Sequence, residues 1–348
     1  MLIVKLSSLG DILHALPLAR GTKAAQPDCF LGWAVDVRFA SLLEHNPYID
    51  VVHRIPVRQW NRGFPTLGKV RQMRAVRREL RAQRYDIAID AHGMIKSGFV
   101  LRLSGAPRRV AWARRPGRSR DWPLWLFANE RVPVDSRGHA VETAYRLVEE
   151  VLGAPRELCR LYLPLADEER AWAREWYSQA GVSPHERLVG VCPGAAWNSK
   201  RWPAERYGAV AAELARRLGT RTVVCWGPGE EELRDRALCA AGEGALAIPR
   251  TTMREMAALM EPLRMFLAGD TGSLHIACAL GVPVVGVFGP TDPQTQGPYG
   301  VPHRVVSPLG DDDRPRRFRH HDSSLIERVG VEDVLDAALD LAAEVGLS

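Results

Sequence analysis

Apolar and polar positions follow two rhythms through the first half of the chain. Short apolar runs, Leu2–Leu6, Phe30–Val35, Val51–Ile55, Ile87–Asp90 and Arg109–Trp112, have the length and composition of strands. Between them, apolar residues recur every three or four positions, as on one face of a helix. This is a βαβ rhythm. After a helix expected over His139–Leu152, the Pro-containing segment 153–170 breaks the pattern and reads as a linker. The rhythm then restarts, with strands at Leu188–Cys192, Thr222–Trp226, Ala245–Ile248, Met265–Ala268 and Val284–Phe288 and helices near 204–217, 230–241, 253–261 and 273–280. Strands that are apolar on both faces suit parallel sheets covered by helices. The pattern therefore predicts two doubly wound α/β domains, 1–160 and 161–330, separated from a C-terminal helix at 331–348 by the exposed loop 311–322. That helix is expected to pack back toward the first domain. Ligands of such sheets bind beyond the C-terminal ends of the strands, so strand-to-helix junctions are where chemistry is sought.

Composition narrows the class. Apolar residues at 46% and charged residues at 25% exclude disordered and collagen-like chains. No apolar run reaches the length of about 18 residues that a membrane span needs, and the N-terminus has no secretory pattern, so a cytoplasmic protein is expected. The six cysteines, Cys29, Cys159, Cys192, Cys225, Cys239 and Cys278, are scattered without a CxxC pair, and neither disulfides nor a zinc site is expected.

Charge is unevenly divided. Residues 1–160 carry 27 basic and 15 acidic side chains, a net charge of +12, whereas the remainder is net −6. Arg54–Arg84 holds ten basic residues against the single acid Glu79, and Arg102–Arg120 holds seven against none. The first half should attract an anionic partner, although a helical stretch around 69–82 is equally well read as a solvated face. In the segment 107–122 arginines interleave with Trp112 and Trp122; guanidinium forks suit phosphate or carboxylate, and indole faces suit sugar rings or lipid headgroups.

Four junctions carry candidate chemistry. In Lys5-Leu6-Ser7-Ser8-Leu9-Gly10-Asp11 a strand ends in two hydroxyls and starts a helix with an aspartate in its first turn. That is good helix capping, and it also places a carboxylate suited to general-base work. No GxGxxG stands there, which argues against a nicotinamide or flavin enzyme. In Cys192-Pro193-Gly194-Ala195-Ala196-Trp197-Asn198-Ser199-Lys200, small residues permit close backbone approach and the lysine can neutralise phosphate. After the Gly227-Pro228-Gly229 turn, the acids Glu230, Glu231 and Glu232 can accept from ribose hydroxyls, or can simply begin a helix. In Gly269-Asp270-Thr271-Gly272-Ser273-Leu274-His275 a helix start offers free N–H groups to a diphosphate.

These stretches resemble the bacterial lipopolysaccharide heptosyltransferases, inverting GT-B glycosyltransferases. The resemblance rests on KLSSLGDILHALP at the start, IDAHGMIKSG at 89–98, HAVETAYRL at 139–147, CPGAAWNSKRWP at 192–203 and GDTGSLHIACALGVPVVGVFGPTDP at 269–293. IDAHGMIKS and HAVET are more similar to heptosyltransferase I, which adds the first heptose to Kdo on lipid A. The resemblance implies two Rossmann-like domains facing a cleft and transfer of L-glycero-D-manno-heptose from ADP-heptose, without metal or cofactor. It implies Asp11 as catalytic base and Lys200 as the group on the donor diphosphate. Ser8, Gly10, Ser199, Glu231 (or Glu232), Asp270, Thr271, Gly272 and His275 are expected to line the donor site. Members often carry hydroxyls where this chain has Ala195 and Ala196, and Ser199 or backbone N–H groups are expected to compensate. For the anionic Kdo–lipid A acceptor, charge nominates Arg58, Arg62, Lys69, Arg114, Arg115, Arg118 and Arg120, and the resemblance nominates Lys96. Reversible contact with the inner membrane is expected. Rival readings are heptosyltransferase II, another GT-B transferase or epimerase, distinguished by its donor, a catalytically silent family member, given Ala195 and Ala196, and a nucleic-acid-binding protein, which the net acidic second half disfavours.

Overall fold

The computed structural model describes residues 1–60, 66–113, 126–133, 138–310 and 323–347. The chain divides into two compact units, Met1–Leu161 and Tyr162–Ser348. The first contains β1 (Leu2–Val4), α1 (Leu9–Ala15), α2 (Pro17–Ala25), β2 (Gly32–Asp36), β3 (Val51–Ile55), α3 (Val57–Trp60) and α4 (Leu67–Ala82). It continues with β4 (Ile87–Asp90), α5 (Ile95–Ser104), β5 (Arg108–Trp112), β6 (Glu130–Val132) and α6 (Ala140–Leu152). Its six strands are parallel in the order β3-β2-β1-β4-β5-β6. Leu2, Val4, Ala34, Ile55, Ala88 and Ala111 of the strands pack with Val76 and Leu80 of α4 and Val100 and Leu101 of α5.

The second unit opens with α7 (Asp167–Gln179), β7 (Leu188–Cys192), α8 (Ala204–Leu218), β8 (Arg221–Val224), α9 (Glu231–Ala241) and β9 (Leu246–Ala247). It closes with α10 (Met253–Met260), β10 (Met265–Gly269), α11 (Gly272–Leu280), β11 (Val284–Val287), α12 (Pro293–Gln296), β12 (His303–Val306) and α13 (Val331–Glu344). The sheet runs β12-β11-β10-β7-β8-β9, all parallel. Renumbered from its own first strand, this is the order of the first sheet. Each sheet therefore reverses its winding once, between β1 and β4 and between β7 and β10, and a ligand crevice forms at such a reversal.

Several sequence expectations are corrected. The segment read as a linker, 153–170, contains the start of α7. Glu169 there pairs with Arg254 of α10, and Tyr177 donates to the Leu259 carbonyl at 2.6 Å, so α7 packs on α10 within the second unit. Strands β6 and β12 were not foreseen; they are three and four residues long and lie at sheet edges, where half-exposed positions blur the apolar run. The C-terminal helix α13, expected to pack toward the first domain, belongs to the second unit. Its Val334, Leu335, Ala338, Leu341 and Ala342 join Val210, Ala211 and Leu214 of α8 and Val285 and Val287 of β11 in one core. The apolar face of α13 finds its partner in the helix and strands of its own unit. All six cysteines are free.

Candidate active site

The reversal in the first sheet is occupied by charged groups. Lys5, just past β1, is buried, and its Nζ donates to the Ala91 carbonyl at 3.1 Å while standing 3.5 Å from Asp11 Oδ1. Asp11 lies in the first turn of α1, where Oδ2 accepts from the Ser8 N–H at 3.0 Å and from the Ser8 hydroxyl at 2.6 Å. Burial would raise the Asp11 pKa, but the Lys5 charge and the Ser8 hydrogen bonds outweigh it and hold the carboxyl well below the usual carboxylate range. Its side chain is nevertheless 44% exposed, so a hydroxyl can reach it. Ser8 thus serves the aspartate, and Gly10 lies in the same turn.

On the other side of the reversal, Asp90 ends β4 and is fully buried. It accepts from the His92 and Gly93 N–H groups at 2.9 and 3.0 Å and from the Ser97 hydroxyl at 2.9 Å, fixing the turn into α5. Burial pushes the Asp90 carboxyl up to about 6. Burial, with Lys5 and Lys96 nearby, pushes the His92 imidazole down to about 3, so it is neutral at physiological pH. Lys96, in the first turn of α5, donates to the Ser7 hydroxyl at 2.8 Å, and burial lowers its pKa. His139 accepts from the Val141 N–H at 3.2 Å at the start of α6 and meets His14 of α1 edge-on, with ring centroids 5.4 Å apart.

The reversal in the second sheet gathers Lys200, Asp270, Thr271, Ser273 and His275. Lys200 Nζ pairs with Asp270 Oδ2, and His275 Nε2 lies 3.8 Å from Oδ1. Burial works against the Asp270 anion, but His275 and Lys200 hold its carboxyl well below the usual range. Thr271 precedes α11, with its hydroxyl 2.7 Å from that of Ser273, and Gly272 is the first residue of the helix. Two glycines admit the Lys200 loop: a Cβ on Gly269 would lie 2.8 Å from the Lys200 carbonyl oxygen, and one on Gly289 would lie 2.7 Å from that of Ser199. Arg201 holds the loop from outside, donating to the Ala195 carbonyl at 2.7 Å and to Asn198 at 3.0 Å.

The donor-site candidates differ in exposure. Ser199 is only 1% exposed, packed inward with its carbonyl against Gly289, so its side chain does not replace the hydroxyls missing at Ala195 and Ala196. At the second-unit junction Glu230 closes the turn. Its carboxylate accepts from the Gly227 N–H at 2.8 Å and occupies the space where a Gly194 side chain would stand. Glu231 and Glu232 are exposed in the first turn of α9, Glu231 accepting from the Gly229 N–H at 3.4 Å and Glu232 lying 3.8 Å from Arg236. Three consecutive glutamates could not be told apart until the turn set the phase of α9.

Of the acceptor candidates, Lys96 alone among the described ones reaches the Ser7–Ser8 segment beside Asp11. Arg58 is exposed on α3, and Lys69 is half-buried in the first turn of α4. Arg62, Arg114, Arg115, Arg118 and Arg120 lie outside the described residues. Lys5, Asp90 and His92 were missed, though a lysine directly after a buried strand was a signal for the first. No group of three or more His, Cys, Asp or Glu side chains able to hold a metal converges among the described residues.

The profile of glycosyltransferase family 9 (heptosyltransferase) matches residues 73–320. The chain belongs to this family. It is 31% identical to lipopolysaccharide heptosyltransferase 1 of Pseudomonas aeruginosa over 304 residues, covering 86% of this chain and 81% of the relative. Lipopolysaccharide heptosyltransferase 2 of Escherichia coli is 25% identical over 325 residues, 88% of this chain and 87% of the relative. The solved structure of E. coli heptosyltransferase WaaC with ADP superposes with a TM-score of 0.76 at 26% identity, covering 98% of this chain and 99% of that one. The family 9 protein described here is therefore a glycosyltransferase with the GT-B pair of parallel-sheet domains.

Proposed function

We propose that this chain moves a heptose from ADP-heptose to the Kdo of the lipopolysaccharide inner core, with inversion, as a heptosyltransferase of type 1. The observation that carries the reading is the chemistry at the two sheet reversals: a half-exposed, ionised carboxylate at one, and a lysine beside a bare helix start at the other. The identity to a relative named heptosyltransferase 1, and to the ADP-bound WaaC structure, supports the donor and the subtype.

In this reading the second unit holds ADP-heptose. Thr271, Gly272 and the following N–H groups of α11 receive the diphosphate, and Glu231, exposed at the start of α9, accepts from the ribose hydroxyls. Lys200, paired with Asp270, brings its positive charge to the diphosphate oxygens. Asp270, kept ionised, accepts from heptose hydroxyls. The first unit binds the acceptor, with Lys96 taking one of its anionic groups. The acceptor hydroxyl attacks the anomeric carbon from the face opposite the diphosphate, the bond to ADP breaks, and Asp11 takes the hydroxyl proton. A carboxylate as acidic as Asp11 is a weak base, so it accepts the proton late, when the new C–O bond has made that proton acidic. Lys200 and the α11 dipole stabilise charge on the departing ADP, the term that usually contributes most. A lipid-borne acceptor places the protein at the cytoplasmic face of the inner membrane. No helix among the described residues is long and apolar enough to cross a membrane, and in this reading contact is peripheral.

The test is ADP release from purified protein given ADP-heptose, with and without Kdo–lipid A, beside ADP-glucose and UDP-glucose. Release that requires both ADP-heptose and the Kdo acceptor is expected. Equal release with another donor, or with no acceptor, would overturn the assignment.

A further inference from the structure

The outer face of α4 has no counterpart in the chemistry above. Leu67, Arg71, Arg74, Arg78 and Arg81 follow one another at steps of four, three, four and three residues, which aligns them on one side of a helix of 3.6 residues per turn. Val70 and Arg77 flank that stripe. The opposite side is the one that packs: Val76 and Leu80 are buried, with Met73 half-buried beside them. Every arginine of the stripe is exposed, Leu67 is 91% exposed, and Val70 is 38% exposed. Among the described residues, no carboxylate lies within ion-pair distance of Arg71, Arg74, Arg77, Arg78 or Arg81. The one acid of the helix, Glu79, is turned to His53 at 2.5 Å.

Such a stripe is unfavourable in isolation. Like charges at three- and four-residue spacing repel, and a helix that merely faces water alternates acids with bases to avoid this. A surface of negative charge removes the repulsion, and a flat, extended one matches a straight stripe about four turns long. The two apolar side chains both stand at its N-terminal end. That end adjoins the rim of the sheet reached by the strands' C-terminal ends, because the chain comes to α4 from the C-terminal end of β3 and leaves its other end for β4. On the same rim, Met94 and Ile95 at the start of α5 are 46% and 52% exposed, next to Lys96.

We propose that the outer face of α4 docks on an anionic phospholipid bilayer, its arginines among the headgroups and Leu67 and Val70 dipping into the interfacial layer. This rests on the reading of a lipid-borne acceptor and names the surface that brings the enzyme to it. Arginine supplies the attraction through charge, and the apolar residues set which end sits deepest.

The test is co-sedimentation of the full chain, without donor or acceptor, with vesicles of phosphatidylcholine alone or with phosphatidylglycerol, at low and high salt. Wild type should bind the anionic vesicles at low salt and leave them at high salt. Combining Arg71→Gln, Arg74→Gln and Arg78→Gln should weaken binding about fivefold per arginine, on the order of a hundredfold in all. The corresponding triple lysine variant should retain binding, because it keeps the charge. Both variants should turn over a water-soluble, deacylated Kdo acceptor like wild type. Absence of binding to anionic vesicles, equal binding to neutral ones, or full binding by the glutamine variant would overturn the proposal. So would loss of turnover on the soluble acceptor in step with vesicle binding, which would make the stripe part of the acceptor site. The vesicle arm involves no sugar transfer, so it fails or succeeds independently of the heptosyltransferase assignment.

Discussion

Asp11 shows how much of a site lies in the neighbours of one residue. A carboxylate in the first turn of a helix is ordinary capping; here two hydrogen bonds from Ser8 fix its orientation and the buried Lys5 beside it favours the ionised form. Asp11→Ala is expected to retain ADP binding and to lose at least about a hundredfold in turnover, the usual scale for a lost general base. In the proposed mechanism Lys5 acts through Asp11 as a positioning residue, and pH separates the two roles. With Lys5 present the carboxyl titrates far below neutrality, so turnover should not fall from its protonation as the pH is lowered toward 5. Lys5→Met removes the stabilising charge, raises the Asp11 pKa, and should move the acidic fall in turnover to higher pH. A purely structural lysine would lower turnover equally at every pH. The junction's residue types were legible in the sequence, but Lys5 was not assigned a role, because nothing local says that its Nζ crosses to β4.

Glycine positions decide how closely elements approach. Gly208 lies in the middle of α8, where glycine costs about 1 kcal/mol against alanine in helix stability. A Cβ there would stand 2.6 Å from Ala240 Cβ and 2.9 Å from the Ala241 nitrogen, on α9. The overlap is with backbone and a helical alanine, neither of which moves freely, and overpacking of this kind costs about 1–3 kcal/mol. Gly208→Ala should therefore lower stability despite the better helix propensity, measured as a reduced urea midpoint. An unchanged or raised midpoint would show that α8 and α9 can separate without penalty. At this scale the central strands and most helices were readable, since strands buried on both faces give unbroken apolar runs. The edge strands β6 and β12 and the early start of α7 were not, because short or half-exposed elements do not sustain a period.

Over the whole molecule, charge is divided between the units. The segment 1–160 carries +12 and the remainder −6. If the first unit takes the anionic acceptor, salt should act on the two substrates unequally. The acceptor KM should rise severalfold as ionic strength climbs from low values to where the Debye length falls below about 8 Å. The donor KM should change less, because the Lys200–Asp270 pair is buried and screened little. Steady-state kinetics at two salt concentrations, with a soluble acceptor, checks this; equal sensitivity would mean that the basic face is not where the acceptor binds. The sequence by itself determined the class of fold, the two-part organisation and the junctions that hold Asp11, Lys200, Asp270, Thr271 and His275, because strand periodicity and helix starts are local properties of the chain. Tertiary structure alone decided which glutamate of 230–232 borders the turn, that Ser199 faces inward, that α13 completes the second core, and that Lys200 pairs with Asp270. Each of these depends on where a distant segment packs, and a local pattern carries no record of that.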